Sequence, residues 1–525
     1  MLLFYNGTIH TMDGTASPPD IVVVNDHGVI DHVGSLVGMP TYSNIRRIDL
    51  GGKTLIPGFN DAHVHIWKLG LLLTIQIDAR SAAAPDIPAI IAAYRARAAK
   101  LPPGTWMTGR GYNEALLPER RHVSRADLDE ASADHPIALT RTCGHMLVAN
   151  SLALRMAGIT AETPDPPGGV IVRDEHGEPT GLLQETAMGL ITNVLPPISD
   201  EVMGYAIREA MYHQLRLGIT SATDPLLTPD HVRVYRQLDE DGDLPVRVNG
   251  LPIRRPDGVE KITYPLPEKY VSQTLRIDGV KFFADGGLSG ATAAVSVPYK
   301  ETGTHGVLRF ETDEMLDLMW EAHDAGFKIA THAIGDVALD QVIGVYEELH
   351  RRKPGLRHRI EHLGLPSADH LRRLAAIGAY AVPQSIFLHA LGANFRRYVP
   401  DALMPRLYPI RDMIDAGLTI ALSSDAPVIP DDNPLMGMKA ALDRCDAAGM
   451  PLNETQAITP YEALYAYTMG GALVSGDART RGSITPGKWG DLVVLSGDPL
   501  ALPPSALPDI TVEQTYVGGR LVYER

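Results

Sequence analysis

Cysteine is scarce in this sequence, with only Cys143 and Cys445 among 525 residues. Neither belongs to a Cys-x-x-Cys pair, which argues against a disulfide framework. Long apolar runs are lacking too, since the nearest one, at residues 69–77, is far shorter than the ~18 to 20 residues of a membrane helix. The N-terminus has no basic stretch and soon reaches a turn, unlike a signal peptide. We therefore predict a cytoplasmic protein with no membrane partner.

Positive charge is also in short supply. Lysine and arginine number 47 against 63 aspartates and glutamates, so the net charge is −16. A nucleic-acid partner needs a basic surface to bind phosphates, so that class of function is disfavoured. The 45% hydrophobic and 21% charged content is ordinary for a globular protein. The length predicts about two or three domains.

The two ends of the chain are rich in short β-strand signals. Residues 1–54 alternate apolar runs with Asn-Gly, Asp-Gly and His-Gly turns, and residues 482–525 have the same character around a Gly-Gly turn. Neither end has enough strands to be stable alone. We therefore predict one composite β-sandwich domain, built from 1–54 plus 482–525, into which the middle of the chain is inserted.

The middle of the chain, residues 55–481, alternates strand and helix signals, which favours a parallel sheet with crossover helices. An α/β fold, a (β/α)8 TIM-type barrel, fits best. The gap between the first and second strands, about 66–217, is too long for a loop, so we predict an insert that covers the mouth of the barrel. Eight candidate strands occur, at residues 55–61, 218–224, 246–251, 277–285, 327–332, 357–362, 379–384 and 418–425.

Two histidines follow the first candidate strand. Residues two apart in an extended chain point to the same face, so His63 and His65 converge and can hold a metal ion through neutral nitrogens. Alone, a His-x-His pair is a weak signal. The other ligands must come from elsewhere in the chain.

Barrel enzymes carry their chemistry at the carboxyl ends of the strands. His332, His362 and Asp425 end candidate strands, and Lys281 lies within one. Each also has a structural interpretation: core histidines, a salt-bridged lysine, and a helix N-cap before Pro427. Together those interpretations require coincidence at every strand, which favours a shared site.

Many segments resemble the amidohydrolase superfamily, most closely its family 3 branch, which includes N-substituted formamide deformylases. The resemblance covers almost the whole chain and depends on the order and spacing of its motifs. One departure is the loop at residues 287–292, where the branch commonly has Gly-Ser-Arg and this chain has Gly-Leu-Ser-Gly-Ala-Thr, which leaves substrate specificity open. The matching segments are PGFNDAHVH, GHMLVANS, GGVIVRDEHGEPTGLLQE, LGITSATD, DGVKFFADGG, ATHAIGD, RIEHLG, SSDAP and GSITPGKWGDLVVLSGDP.

The resemblance implies a divalent metal site, usually zinc, with two ions per chain. His63, His65 and Asp425 are expected to hold one ion. Lys281, carboxylated by carbon dioxide to a carbamate, is expected to bridge to a second ion. The implied ligands of that second ion are His332 and His362.

The physical chemistry of such a site suits hydrolysis. A metal pair lowers the pKa of bound water to around 7 and supplies hydroxide at neutral pH. Asp425 can take the proton of the attacking water and pass it to the leaving nitrogen. His145, in TCGHMLVANS, is a candidate donor to the carbonyl oxygen, its alternative role being to order the insert. Glu361 and Asp336 are candidates for the outer shell of the site.

The leading hypothesis is a hydrolase that cleaves the C–N bond of a linear amide of the N-formyl or N-acyl amine type. A cyclic amide, carbamate, ester or lactone hydrolase on the same site is the alternative. A hypothesis of another class is a metal-binding or regulatory protein without turnover. We expect a small-molecule substrate and keep a homodimer as a candidate assembly.

Overall fold

The computed structural model describes residues 1–15, 18–256 and 262–525. Strands predominate at both ends of the chain, and strands alternate with helices in the middle. The strands are β1 Leu2–Tyr5, β2 Thr8–Ile9, β3 Ile21–Val24, β4 Ile30–Gly34, β5 Arg46–Asp49, β6 Thr54–Pro57, β7 Phe59–Asp61, β8 Ile77–Asp78, β9 Met107–Tyr112, β10 Ile137–Arg141, β11 Met146–Ala149, β12 Gly169–Arg173, β13 Pro179–Glu185, β14 Ile219–Leu227, β15 Arg247–Pro252, β16 Tyr270–Val271, β17 Leu275–Ile277, β18 Gly279–Phe283, β19 Lys328–Ala333, β20 Arg359–His362, β21 Tyr380–Val382, β22 Thr419–Ile420, β23 Leu492–Leu495, β24 Val512–Val517 and β25 Arg520–Glu524.

Several helices begin after a residue whose side chain binds their free backbone N–H groups. Ser199, Thr228, Ser367 and Thr459 each accept a hydrogen bond from the first turn of the helix that follows. The α-helices are α1 Ile66–Thr74, α2 Ile87–Ala98, α3 Arg125–Ala131, α4 Ser151–Met156, α5 Gly189–Thr192, α6 Asp200–Arg216, α7 Pro229–Glu240, α8 Thr312–Asp324, α9 Asp336–Arg352, α10 Ala368–Ala376, α11 Ile386–Tyr398, α12 Ile410–Asp415, α13 Pro434–Asp443, α14 Pro460–Tyr465 and α15 Gly471–Ser475.

The predicted barrel strands form two hydrogen-bonded sheets. One has the order β16-β17-β15-β14-β7 and the other β18-β19-β20-β21-β22, and every pair in them is parallel except β16 with β17. A bridge between Ile253 and Lys281 joins the two sheets at one side. At the other side the Asp425 N–H donates to the His63 carbonyl at 2.7 Å. The parallel strands therefore form two arcs that each follow chain order, β7-β14-β15-β17 and β18-β19-β20-β21-β22.

Two candidate strands are divided in the structure. Residues 55–61 split at Gly58, where an added Cβ would lie 2.0 Å from Thr220 Oγ1, so the close approach requires glycine. β6 then joins the terminal sheet, while β7 pairs with β14. Residues 277–285 split at Asp278, because β17 pairs with β15 and β18 pairs with β19. The ladder of the last candidate strand covers only β22.

Both chain ends contribute to the terminal sheets. One sheet has the order β4-β3-β1-β5, and the other, β2-β6-β23-β24-β25, contains strands from both ends. Phe4 and Val22 of the first sheet share an apolar cluster with Leu492 and Tyr516 of the second. These contacts are those that a composite domain needs. The division into 1–54 plus 482–525 and 55–481 stays a prediction.

The stretch predicted as an insert, about 66–217, has structure of its own. Its sheet has the order β12-β13-β11-β10-β9-β8, and β12 and β13 form the hairpin of the segment GGVIVRDEHGEPTGLLQE. Helices α1 and α6, at the two ends of the stretch, contribute Ile66 and Ile207 to the main apolar cluster. Among the described residues, no helix combines the length and the apolar character that crossing a membrane requires.

Candidate metal centre

Three of the predicted ligands converge where two strands end. His63 and His65 lie in the turn between β7 and α1, directly after the first candidate strand, as the sequence predicted. Their Nε2 atoms are 3.4 and 3.2 Å from Asp425 Oδ1. Asp61 binds the segment that carries the histidines to the segment that carries Asp425. Its carboxylate accepts hydrogen bonds from the backbone N–H groups of His63 and Ser424. This trio is the one group of three or more His, Cys, Asp or Glu side chains in the described chain that brings its ligand atoms within 4.8 Å of one another.

The outer nitrogens of the two histidines fix which tautomer each adopts. His65 Nδ1–H donates to the Pro225 carbonyl at 3.1 Å. His63 Nδ1–H donates to the Glu361 carboxylate, which Arg359 also binds through its guanidinium. Each Nε2 is then unprotonated, and its lone pair faces Asp425.

This convergence fits a cation. Asp425 Oδ1 is buried and accepts no hydrogen bond within the described ranges of the chain. Three electron-pair donors therefore face one another, which is unfavourable unless a positive ion lies between them. His63, His65 and Asp425 are 1, 5 and 5% exposed, so bulk water does not separate them.

His332 and His362 lie beside the trio, with ring centroids 4.5 Å apart and His362 5.1 Å from His63. His332 Nε2–H donates to the Gly286 carbonyl at 2.9 Å. His362 Nδ1–H donates to Gln384 Oε1 at 2.6 Å, and Gln384 is oriented by donating to Ser423. Each ring thus keeps one unprotonated nitrogen. The two histidines have the chemistry of a second ligand pair.

Burial keeps all four histidines neutral. It holds the pKa values of His63, His65 and His332 well below the usual value, and it lowers the pKa of His362 to about 3. A neutral imidazole is the form that binds metal. The protonation states therefore suit metal binding at neutral pH.

Lys281 is fully buried in the middle of β18. Its Nζ lies 4.8 Å from the centroid of the Phe283 ring and has no hydrogen-bond partner among the residues described. Burial lowers the pKa of Lys281 from 10.5 to about 8. An amine in these surroundings is nucleophilic for an appreciable fraction of the time.

Two of the predicted ligands have strained backbones. His362 has φ 71° and Asp425 has φ 56°, both in the left-handed region that glycine normally occupies. Such positions cost of order 1–3 kcal/mol and cluster at functional sites. The fold therefore holds these two side chains in place at some cost in stability.

A cavity borders His332, His362 and Asp425. The stretch predicted as an insert contributes Cys143 and His145 to its lining, and Leu288 and Phe387 lie on the barrel side. Phe387 stacks on His362 at 6.2 Å between centroids. Trp67, which stacks on His231, Tyr112, which contacts His122, and Trp106 do not line this cavity.

His145 lies near the predicted ligands, with its ring centroid 6.2 Å from that of His332. Its Nδ1 is 3.1 Å from Glu185 Oε2, a contact that the sequence analysis missed. Burial tends to lower the pKa of His145, but the Glu185 carboxylate outweighs burial and the pKa is raised. The pKa of Glu185 falls to about 2, because His145 and Arg309 outweigh burial.

The two outer-shell candidates behave differently. Glu361 contacts a predicted ligand directly, as described above. Asp336 instead accepts hydrogen bonds from the Ser296 backbone and hydroxyl at the start of α9, so it orders a loop. The sequence analysis missed Gln384 and its contact with His362. Gln384 stands at the carboxyl end of the seventh candidate strand, the same kind of position as His332 and His362 have on theirs.

Histidines and an aspartate grouped at the carboxyl ends of parallel α/β strands are typical of metal-dependent hydrolases. The sequence model of a protein family described as "Amidohydrolase family" matches residues 46–523 of this chain. The chain therefore belongs to the amidohydrolase family, whose members depend on metal. The predicted resemblance to that family is confirmed.

Individual relatives match along the full chain. YtcJ of Bacillus subtilis (strain 168) is 32% identical over 546 residues, which cover 100% of this chain and 99% of that protein. The N-substituted formamide deformylase of Arthrobacter pascens is 30% identical over 549 residues, covering 100% of this chain and 98% of that protein. A solved structure of an uncharacterized metal-dependent hydrolase from Pyrococcus horikoshii OT3 has a TM-score of 0.76 at 26% identity, over 96% of this chain and 99% of that one. These matches imply a TIM-barrel-type α/β fold.

Proposed function

We propose that this protein hydrolyses the C–N bond of a linear amide, with N-formyl and N-acyl amines as the first candidates. The observation that carries the proposal is the convergence of His63 Nε2, His65 Nε2 and Asp425 Oδ1, with Asp425 lining a cavity. The full-length similarity to an N-substituted formamide deformylase supports the amide class.

Each polar side chain at the cavity has a role in this proposal. His63, His65 and Asp425 hold a divalent ion, which when bound polarises the scissile carbonyl and makes a water molecule more acidic. The second oxygen of Asp425 takes the proton of the attacking water and returns it to the leaving nitrogen. His145 donates to the carbonyl oxygen as negative charge develops there.

We further propose a second ion, with zinc as the expected metal for both. His332 and His362 each keep an unprotonated ring nitrogen for it, and Lys281 as a carbamate supplies the oxygens that bridge two cations. The buried amine with no hydrogen-bond partner in the described chain supports this role for Lys281. An ammonium at that position would repel both ions.

The cavity wall favours an apolar substituent on the substrate. Leu288, Phe387 and Leu391 line it and are buried. An apolar pocket with a few convergent polar groups binds the carbon skeleton through the wall and the reacting bond through the polar groups. A charged side group on the substrate has no partner on that wall.

A substrate panel tests the proposal. The zinc-loaded protein is assayed against N-formyl and N-acyl amines beside a lactam, a carbamate, an ester and a lactone of equal size, with His63→Ala as the inactive control. Turnover of the linear amides, lost in the control, is expected. Turnover confined to the other compounds contradicts the linear-amide proposal, and metal binding without any turnover favours the non-catalytic hypothesis.

A further inference from the structure

Three charged or polar side chains meet beside the cavity at the side of the insert. Glu185 Oε2 is 3.1 Å from His145 Nδ1 and accepts a hydrogen bond from Arg309 Nη2 at 3.0 Å. Arg309 Nη2 is also 3.2 Å from His145 Nδ1. The three side chains are only 16 to 17% exposed. Their mutual interactions are therefore little screened by water.

Strand pairing in the insert sets the position of Glu185. β11 and β13 are antiparallel with Met146 opposite Gln184, so the next pair is His145 opposite Glu185. The Glu185 N–H donates to the His145 carbonyl at 2.9 Å. Opposed residues of an antiparallel pair have side chains on the same face, which brings the imidazole and the carboxylate together.

Arg309 reaches the same carboxylate from the barrel. It lies between β18 and α8, and its backbone N–H donates to the Ala284 carbonyl at 2.8 Å, directly after β18. Glu185 is thus bound by one partner from the insert and one from the barrel. The position of His145 is coupled to the strand that carries Lys281.

The backbone at Glu185 is strained, with φ 51° and ψ −126°. A residue with a Cβ persists in such a conformation only where its surroundings determine it, and these positions cluster at functional sites. Glycine would relieve this strain, but it would lose the carboxylate contacts to His145 and Arg309.

Nδ1 of His145 faces the Glu185 carboxylate, which is an acceptor, so the proton on this nitrogen donates to Glu185. The same carboxylate raises the pKa of His145 and so favours the charged ring, in which both nitrogens carry a proton. Nε2–H is then left to donate to another group. Nε2 makes no hydrogen bond to any part of the chain that the structure describes, and His145 borders the cavity.

We propose that Glu185 and Arg309 are positioning residues that hold His145 with Nε2–H directed into the cavity, ready to donate to the carbonyl oxygen of the substrate. This inference rests on the proposed function, in which His145 contacts the substrate. Glu185 and Arg309 act only through His145. They hold the ring in one orientation and one protonation pattern before the substrate arrives.

A double-mutant cycle separates positioning from a merely structural role. Glu185→Gln keeps the shape but removes the charge, and it is expected to lower kcat by roughly 10-fold to 10²-fold with a smaller change in KM. In a His145→Ala background the same change should have no further effect. Arg309→Met should behave like Glu185→Gln, and Arg309→Lys, which keeps a cation, should be milder. Additive losses in the cycle would overturn the proposal.

Asp165→Asn is the matched control. It removes a carboxylate charge from another ion pair of the insert, Asp165 with Arg173, away from His145. Its kcat should equal that of the wild type. If Glu185→Gln behaves like this control, with kcat unchanged, the pair only fastens the insert to the barrel and the proposal is wrong.

The ¹⁵N shifts of histidine side chains give a readout that does not need turnover, with the His145 signal assigned by its loss in His145→Ala. Wild type should show a protonated Nε2, and Glu185→Gln should show a mixture of tautomers. An unchanged signal in Glu185→Gln overturns the positioning role even if amides are hydrolysed. A protein with no activity on any amide but with the expected shift change fails the proposed function alone.

Discussion

The proposal that Lys281 is a carbamate predicts how its amine reacts with carbon dioxide and what Lys281→Ala does to activity. Because Lys281 is fully buried and its pKa is lowered from 10.5 to about 8, the neutral fraction at pH 7 rises from about 0.03% to about 10%. This is roughly a 300-fold gain in the form that attacks carbon dioxide. Carbamate formation on metal-stripped protein should therefore become faster as the pH rises from 7 to 8, and should level off above about pH 8.

The expected loss of activity follows from the bridging role. Without the carbamate, the second ion loses its shared ligand, and a loss of about 3 kcal/mol in transition-state stabilisation lowers kcat/KM by ~10²-fold. The alanine leaves a gap of about the size of the lost side chain. Formate, acetate or propionate at high concentration should partly restore turnover by supplying carboxylate oxygens. Lys281→Arg should resist this rescue, because its fixed charge fills the gap and repels the metals.

The assay measures kcat/KM against acid concentration, with zinc content determined in parallel. Lys300→Ala is the control, since Lys300 pairs with Asp401 on an exposed loop and should give wild-type activity at every acid concentration. If Lys281→Ala keeps full activity and two metals without added acid, Lys281 is an ordinary barrel lysine. The bridging proposal is then refuted.

Three further predictions concern the metals, the proton acceptor and acid stability. After dialysis and remetallation, plasma emission spectroscopy should find about two divalent ions per chain. A measured value of one ion per chain would contradict the second site. Asp425→Asn should lower kcat by ~10² to 10⁴-fold, and an active variant with an unchanged pH profile would place the base elsewhere. Burial lowers the pKa of His358 from 6.5 to about 3, so the folded state binds fewer protons than the unfolded state below pH 6.5. The free energy of unfolding should then fall by up to about 1.4 kcal/mol per pH unit as the pH is lowered from 6.5 to 3. Urea unfolding at pH 7 and pH 5 should show a smaller fall for His358→Gln than for the wild type. An equal fall in the two proteins contradicts the role assigned to His358.

Local pattern predicted the order of strands and helices well, because alternating apolar segments and turn residues act over a few neighbours. It did not predict where strands divide. Residues 55–61 form one candidate strand, yet Gly58 donates its N–H to the Asp491 carbonyl at 2.9 Å, and the chain passes there from one sheet to another. That partner lies more than 400 residues away in sequence. No window of a few residues contains this information.

The candidate ligands could be predicted for a similar reason. His63, His332, His362 and Asp425 each carry metal-binding chemistry in one side chain at a recognisable strand end. The groups that orient them lack such a signal. Glu361 lies 298 residues from His63, and Arg309 lies 124 residues from Glu185. Their roles depend on which long-range contact each makes, and that follows only from the folded chain.

Strain was also invisible in the sequence, and it connects the predicted ligands to the residues that were missed. His362, Asp425 and Glu185 all have positive φ, although none is a glycine. Positions with positive φ favour glycine, since a residue with a Cβ there costs free energy. The side chain at each of the three contacts the cavity or a residue that borders it. Glycine would relieve the strain at each of the three positions, but it could not supply the contact that the side chain makes at the cavity.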